Sequence, residues 1–191
     1  MQSRGDWVTD PKVVTIFGGS TPVDGDSPFE AAETLGRKLA EAGFAVATGG
    51  YIGTMEAASR GASEAGGRAI GVTCEQIERW RAIAPNAWLS EEIREERLID
   101  RVSRLIEIGD ALIALPGGIG TLTEISFAWS QLQIHALKEK PLILVGRMWG
   151  QVFAPFIEPD NPYVRPGNTQ LLHFVEDAEE AFEEIMRYFH H

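Results

Sequence analysis

The stretch Ala111-Leu112-Ile113-Ala114-Leu115-Pro116-Gly117-Gly118-Ile119-Gly120-Thr121-Leu122-Thr123-Glu124 runs from five apolar residues through a glycine turn into a helix-like segment. A short run without polar alternation marks a strand buried on both faces, and such strands belong to parallel sheets covered by helices. The same grammar recurs on both sides. Val13-Val14-Thr15-Ile16-Phe17 ends in Gly18-Gly19-Ser20, and Phe44-Ala45-Val46-Ala47 is followed by Thr48-Gly49-Gly50. Ala69-Ile70-Gly71-Val72 and Leu142-Ile143-Leu144-Val145 are further strands of this kind.

Helical patterns fall between the strands, over residues 29–42, 54–64, 91–108, 121–138, 149–156 and 178–188, with Gly43 closing the first. Residues 75–90, with Trp80, Pro85, Asn86 and Trp88, read as a long connection, and 159–167 as a Pro-rich loop. Strand and helix alternate throughout. The fold class is therefore α/β: a Rossmann-like, doubly wound parallel sheet with helices on both faces. One domain spanning residues 1–191 is expected, since 191 residues suffice for one sizeable core.

Bulk properties narrow the function. The formal net charge of −11 argues against nucleic acid as a partner. No apolar run approaches the roughly 20 residues of a membrane helix, and Met1 to Lys12 lacks a signal-peptide core. A cytoplasmic protein is expected. The one cysteine, Cys74, leaves no intrachain disulfide and no Cys-based zinc site. The histidines have no ligand spacing, so no metal is expected.

In a doubly wound sheet, ligands bind outside the carboxyl ends of the strands. Three glycine clusters are predicted there: Gly18-Gly19-Ser20, Gly49-Gly50-Tyr51-Ile52-Gly53 and Pro116-Gly117-Gly118-Ile119-Gly120. Each leads into a helix, whose free N–H groups and positive dipole end suit a phosphate. The G-x-G-x-x-G dinucleotide fingerprint and the P-loop pattern are both missing.

Two ionisable features stand beside these turns. The helix after Gly120 carries apolar residues over most of its circumference and reads as buried, with one polar stripe of Glu124, Gln131 and His135. Glu124 fits a capping box with Thr121, and it equally fits a catalytic acid aimed at a ligand. Arg94, Arg97, Arg101 and Arg104 share one side of the helix predicted over 91–108. Of these, Arg101 borders the apolar stripe and is the candidate to reach a half-buried anion.

Pro116-Gly117-Gly118-Ile119-Gly120-Thr121-x-x-Glu124 matches the PGGxGTxxE signature, and the chain resembles the Lonely Guy (LOG) family, long labelled lysine decarboxylase-like. The similarity covers roughly residues 12 to 158 and includes the Phe17-Gly18-Gly19-Ser20 turn, the Gly49-Gly50-x-x-Gly53-x-Met55 turn and Arg101. It implies a Rossmann-like homodimer that hydrolyses nucleoside 5′-monophosphates, cytokinin ribotides or AMP, to free base and ribose 5-phosphate without a cofactor. It implies Arg101 and Glu124 as the catalytic pair. It implies substrate binding by Gly18, Gly19, Ser20, Gly49, Gly50, Gly53, Met55, Gly117, Gly118, Ile119, Gly120 and Thr121. The chain departs from the family at Val102, where many members carry lysine, and at Leu98, often methionine. The alternative is a nucleotide- or molybdenum-cofactor-binding carrier or sensor of the same fold. A pyridoxal phosphate enzyme would need a Schiff-base lysine, and Lys12, Lys38, Lys138 and Lys140 all lie outside the glycine turns.

Overall fold

The computed structural model describes residues 10–190. Residues 1–9 and 191 lie outside it, and with them most of the polar stretch Met1 to Lys12. The described strands are β1 (Val13–Phe17), β2 (Ala45–Thr48), β3 (Ala69–Cys74), β4 (Glu91–Glu95), β5 (Ala111–Ala114), β6 (Leu142–Val145) and β7 (Leu172–Val175). They form one seven-stranded sheet in the order β4-β3-β2-β1-β5-β6-β7, every pair parallel. The helices are α1 (Ser27–Glu41), α2 (Thr54–Glu64), α3 (Glu75–Trp80), α4 (Leu98–Ile108), α5 (Ile119–Gln133), α6 (Arg147–Ile157), α7 (Pro166–Thr169) and α8 (Ala178–Phe189).

Strand alternation divides the core between two faces. Val14 and Ile16 of β1 and Ile113 of β5 pack with Phe29, Leu35 and Leu39 of α1, Ala57, Ala58 and Ala62 of α2 and Ile185 of α8. Phe17, Leu112 and Ala114 turn to the opposite face, against Val102, Leu105 and Ile106 of α4, Ile125 and Leu132 of α5 and Trp149 and Phe153 of α6. The doubly wound fold read from the sequence is therefore the observed one. The chain winds outward from β1 to β4, then returns to place β5 on the other side of β1. That reversal is the switch point where such sheets open a crevice.

The elements differ from expectation in four places. Residues 91–108 are two elements, the edge strand β4 and the helix α4. Glu91 to Glu95 are mostly good helix formers, but pairing in register with Ile70 to Cys74 of β3 overrides that local preference. The expected arginine stripe is thereby broken. Arg94 lies on β4 and pairs with Glu78, Arg97 occupies the N-cap position of α4 and pairs with Asp100, and Arg104 pairs with Glu95. The connection 75–90 contains α3, and the C-terminal part contains α7 and the unexpected strand β7. Finally, α5 runs from Ile119 to Gln133 and buries one face, Thr121, Glu124, Ile125, Ala128 and Leu132. Leu122, Phe127 and Trp129 pack half-buried beside that face, Ser126, Ser130 and Gln133 are exposed, and Gln131 is half-buried while His135 falls beyond the helix, at φ 55.

Candidate active site

The three glycine turns meet at the switch point and are joined by hydrogen bonds. The Gly19 N–H donates to the Pro116 carbonyl at 3.2 Å, linking the turn after β1 to the turn after β5. The Gly19 carbonyl accepts from the Thr54 N–H at 2.9 Å and from the Thr54 hydroxyl at 3.0 Å, linking it to the start of α2. Gly53 has φ 74, and a Cβ there would overlap the Gly19 carbonyl and the Ser20 backbone. Only glycine combines that dihedral with so close an approach.

Helix α5 starts with its cap position at Gly118, in an extended conformation and without a side-chain cap bond. The capping box, one of the two readings of Glu124, is not formed. Thr121 is already inside the helix, and Glu124 sits on its second turn, too far along to answer a cap. The first N–H groups of α5 therefore have no intrahelical partner. A Cβ at Gly118 or Gly120 would meet nothing within 4 Å, so packing within the chain does not demand glycine at either place. Ile119 and Ser20 are exposed at the same edge.

Below this open rim lies a buried ion pair. Arg101 is 5% exposed and Glu124 8%, and Arg101 Nη1 stands 3.6 Å from Glu124 Oε1. The arginine is held from behind: Nε donates to the Val72 carbonyl at 2.7 Å and Nη2 to the Gly49 carbonyl at 3.1 Å. Met55 Sδ lies 3.9 Å from Nη2, and a Cβ on Gly49 would overlap the guanidinium. With two nitrogens committed to main-chain carbonyls, Nη1 is the one that faces the carboxylate. Burial pushes the Glu124 carboxyl from 4.5 up to about 7, and the Arg101 charge offsets part of that rise. A carboxyl of this kind is close to half ionised at neutral pH, suited to exchanging a proton or to facing a developing positive charge.

Sequence reasoning named Arg101, Glu124 and the three turns, and these meet at one edge. It gave no role at the site to Thr54, Val72 or the Tyr51 side chain. Val72 acts through its main-chain carbonyl, which leaves no residue-type signature, and Thr54 acts through its N–H and hydroxyl on the Gly19 carbonyl. Lys12 immediately precedes β1, Lys140 lies two residues before β6, Lys38 is in the last turn of α1 and Lys138 follows α5. Lys38 pairs with Glu179 in the first turn of α8, and Lys12, Lys138 and Lys140 stand at the amino edge of the sheet, opposite the glycine turns. Lys140 is buried there and closes α4 by donating to the Ile106 and Gly109 carbonyls.

Comparison with known proteins points the same way. A family model described as "Possible lysine decarboxylase" matches residues 55–185, more than half of the chain. A cytokinin riboside 5′-monophosphate phosphoribohydrolase of Rhodococcoides fascians is 33% identical over 171 residues, covering 88% of this chain and 76% of that protein. One of the same name from Mycobacterium tuberculosis is 30% identical over 149 residues, covering 76% and 73%. The probable phosphoribohydrolase LOGL5 of rice is 36% identical over 129 residues, and the match spans 64% of this chain and half of the rice protein. Among solved structures, the molybdenum cofactor binding protein of Rippkaea orientalis superposes with a TM-score of 0.72 at 22% identity, covering 95% of this chain and 99% of that one. The molybdenum cofactor carrier protein of Chlamydomonas reinhardtii gives 0.71 at 21%, with the same coverage. At that identity the two structures speak for the fold alone. The family match, the relatives and the PGGxGTxxE turn agree, and the chain belongs to the Lonely Guy (LOG) family.

Proposed function

We propose that this protein hydrolyses the N-glycosidic bond of a purine or cytokinin nucleoside 5′-monophosphate, releasing free base and ribose 5-phosphate. The observation that carries this is the buried Glu124, paired with a pinned Arg101 and placed beneath an uncapped helix start. Phosphate would lie on the N–H groups of Ile119, Gly120 and Thr121, where the helix dipole favours an anion. The glycine turns at 18–20, 49–53 and 117–120 let backbone approach the ribose. As the bond breaks, positive charge grows on the ribose ring, and the Glu124 carboxylate stabilises it or takes a proton from the attacking water. The names of the curated relatives support the same chemistry.

A second copy of the chain is proposed to cover the mouth. Leu98 and Ile99 at the start of α4 are 47% and 49% exposed, and Ile119 at the start of α5 is 79% exposed. These apolar residues flank Arg101 and Glu124 in sequence, so a homodimer through this face would also exclude water from the pair. We place the activity in the cytoplasm. Among the described residues no helix is long and apolar enough to cross a membrane. The alternative is a carrier or sensor of the same fold that binds a nucleotide or molybdenum cofactor without turnover. Lysine decarboxylation is disfavoured, because none of the four lysines lies in the glycine turns where a Schiff base would form.

Release of base from AMP and from an N6-prenylated AMP, measured against the matching nucleosides, tests the proposal. Hydrolysis of the monophosphates should be much faster, since phosphate binding remote from the broken bond positions the sugar. Glu124→Gln should lower turnover by roughly 10² or more with the fold intact. Equal turnover in wild type and Glu124→Gln would remove Glu124 from catalysis, and no release from any monophosphate would favour the carrier.

A further inference from the structure

Tyr51 joins the two strands that hold Arg101. The residue is 2% exposed. Its hydroxyl accepts from the Cys74 N–H at 2.7 Å and faces the Cys74 carbonyl at 3.1 Å and the Glu78 carboxylate at 3.2 Å. The single hydroxyl proton serves one of these two acceptors at a time. At the other end, the Tyr51 carbonyl accepts from the Asn86 side-chain amide at 2.9 Å, and the adjacent Gly50 carbonyl accepts from the Asn86 N–H at 2.8 Å. The residue thus ties the turn after β2 to the end of β3. Those are the segments whose carbonyls grip the guanidinium, Gly49 two residues before Tyr51 and Val72 two residues before Cys74. The Tyr51 ring centroid lies 5.7 Å from Arg101 Cζ.

We propose that Tyr51 is a positioning residue for the Arg101–Glu124 pair. Its hydroxyl sets the spacing of the Gly49 and Val72 carbonyls, and its ring packs beside the guanidinium. A planar guanidinium fork fits two acceptors at one spacing only. When the spacing relaxes, the fork tilts and Nη1 leaves Glu124. Arg101 is the charged group that acts on Glu124, and Glu78 and Arg101 are those that act on Tyr51. A displaced Arg101 therefore leaves the buried carboxyl less ionised at neutral pH. The effect on turnover rests on the hydrolase proposed above, whereas the effect on Glu124 does not.

The test is a carbon-13 NMR titration of the Glu124 carboxyl in full-length wild type, Tyr51→Phe and Tyr51→Leu. Base-release kinetics and a thermal melt are run on the same samples. The Glu124 titration should move to higher pH in Tyr51→Phe, which loses the hydroxyl, and further in Tyr51→Leu, which loses the ring as well. The acid limb of kcat should move with it. At neutral pH kcat should fall about tenfold for Phe and up to about 100-fold for Leu, the scale of a small misplacement of catalytic groups. KM for the monophosphate should stay nearly constant, because phosphate is met at α5. A folded Tyr51→Phe chain with an unmoved Glu124 titration overturns the proposal, even if it melts earlier. Should the variants not fold, wild type still decides. Arg101 Nε and Nη2 protons should exchange slowly with solvent, and a freely rotating guanidinium overturns it. A wild type that releases no base removes the hydrolase, while the titration still judges Tyr51.

Discussion

Helices α8 and α5 begin in opposite ways. At α8 the Asp177 carboxylate accepts from the Glu180 N–H at 3.0 Å, and the Glu180 carboxylate accepts from the Glu176 N–H at 2.8 Å. The chain closes that helix start with its own side chains. At α5 the cap is Gly118, no side chain reaches the first amides, and Gly118, Ile119 and Gly120 are exposed. Both sequences contain an acid near the helix start, yet only the acids at α8 serve the helix. The acid at α5 is turned inward to Arg101. A helix start left open beside a buried ion pair is one whose donors are free for a ligand.

The inward acid separates the two helices most with pH. Glu124 binds its proton more tightly in the folded state than in the unfolded one, so its contribution is favourable below about pH 4.5 and is lost as pH rises through about 7. Wild-type stability relative to Glu124→Gln should fall across that window by roughly 3 kcal/mol at most. Melting curves of both proteins from pH 4 to 8 check this, and a constant difference would mean that Glu124 titrates normally. The acid limb of kcat for the wild type should lie near the same upper value.

Transplanting the α8 solution should come next in size. Gly118→Asp places a capping carboxylate where the backbone is already extended and the added Cβ meets nothing. The variant should melt a few degrees higher, on the scale of a good cap. Its KM for a monophosphate should rise about tenfold or more, because the amides are taken and a negative charge faces the phosphate. Unchanged KM would place the phosphate elsewhere. The smallest effect belongs to the reverse change. Asp177→Ala should cost about 1 kcal/mol of stability and leave turnover untouched, as denaturant melts and base release would show.

Most of the sheet was legible because its central strands are apolar without interruption: β1, β2, β3, β5 and β6 are buried along nearly their whole length. The edge strands β4 and β7 carry half-exposed polar residues and no such mark. The site was legible where it depends on residue type. Glycine turns, an acid on the helix after one of them and an arginine beside an apolar stripe all leave a pattern. What the sequence hid was contact through the main chain. The Val72 and Gly49 carbonyls fix Arg101, and any residue supplies a carbonyl. Spacing alone also left the capping reading of Glu124 open: Thr121 and Glu124 have the right separation, but the helix begins two residues before Thr121, so the pair lies inside it.

The strand β4 that looks like a helix lies at one rim of the sheet, with its outer main-chain groups unpaired by any other strand described. Four of its five residues, Glu91, Glu92, Arg94 and Glu95, are charged. An open rim of this kind is a template on which another chain could add a strand, and charged side chains along it oppose that stacking. The composition that disguises β4 in the sequence therefore protects the folded protein from aggregating through its own sheet.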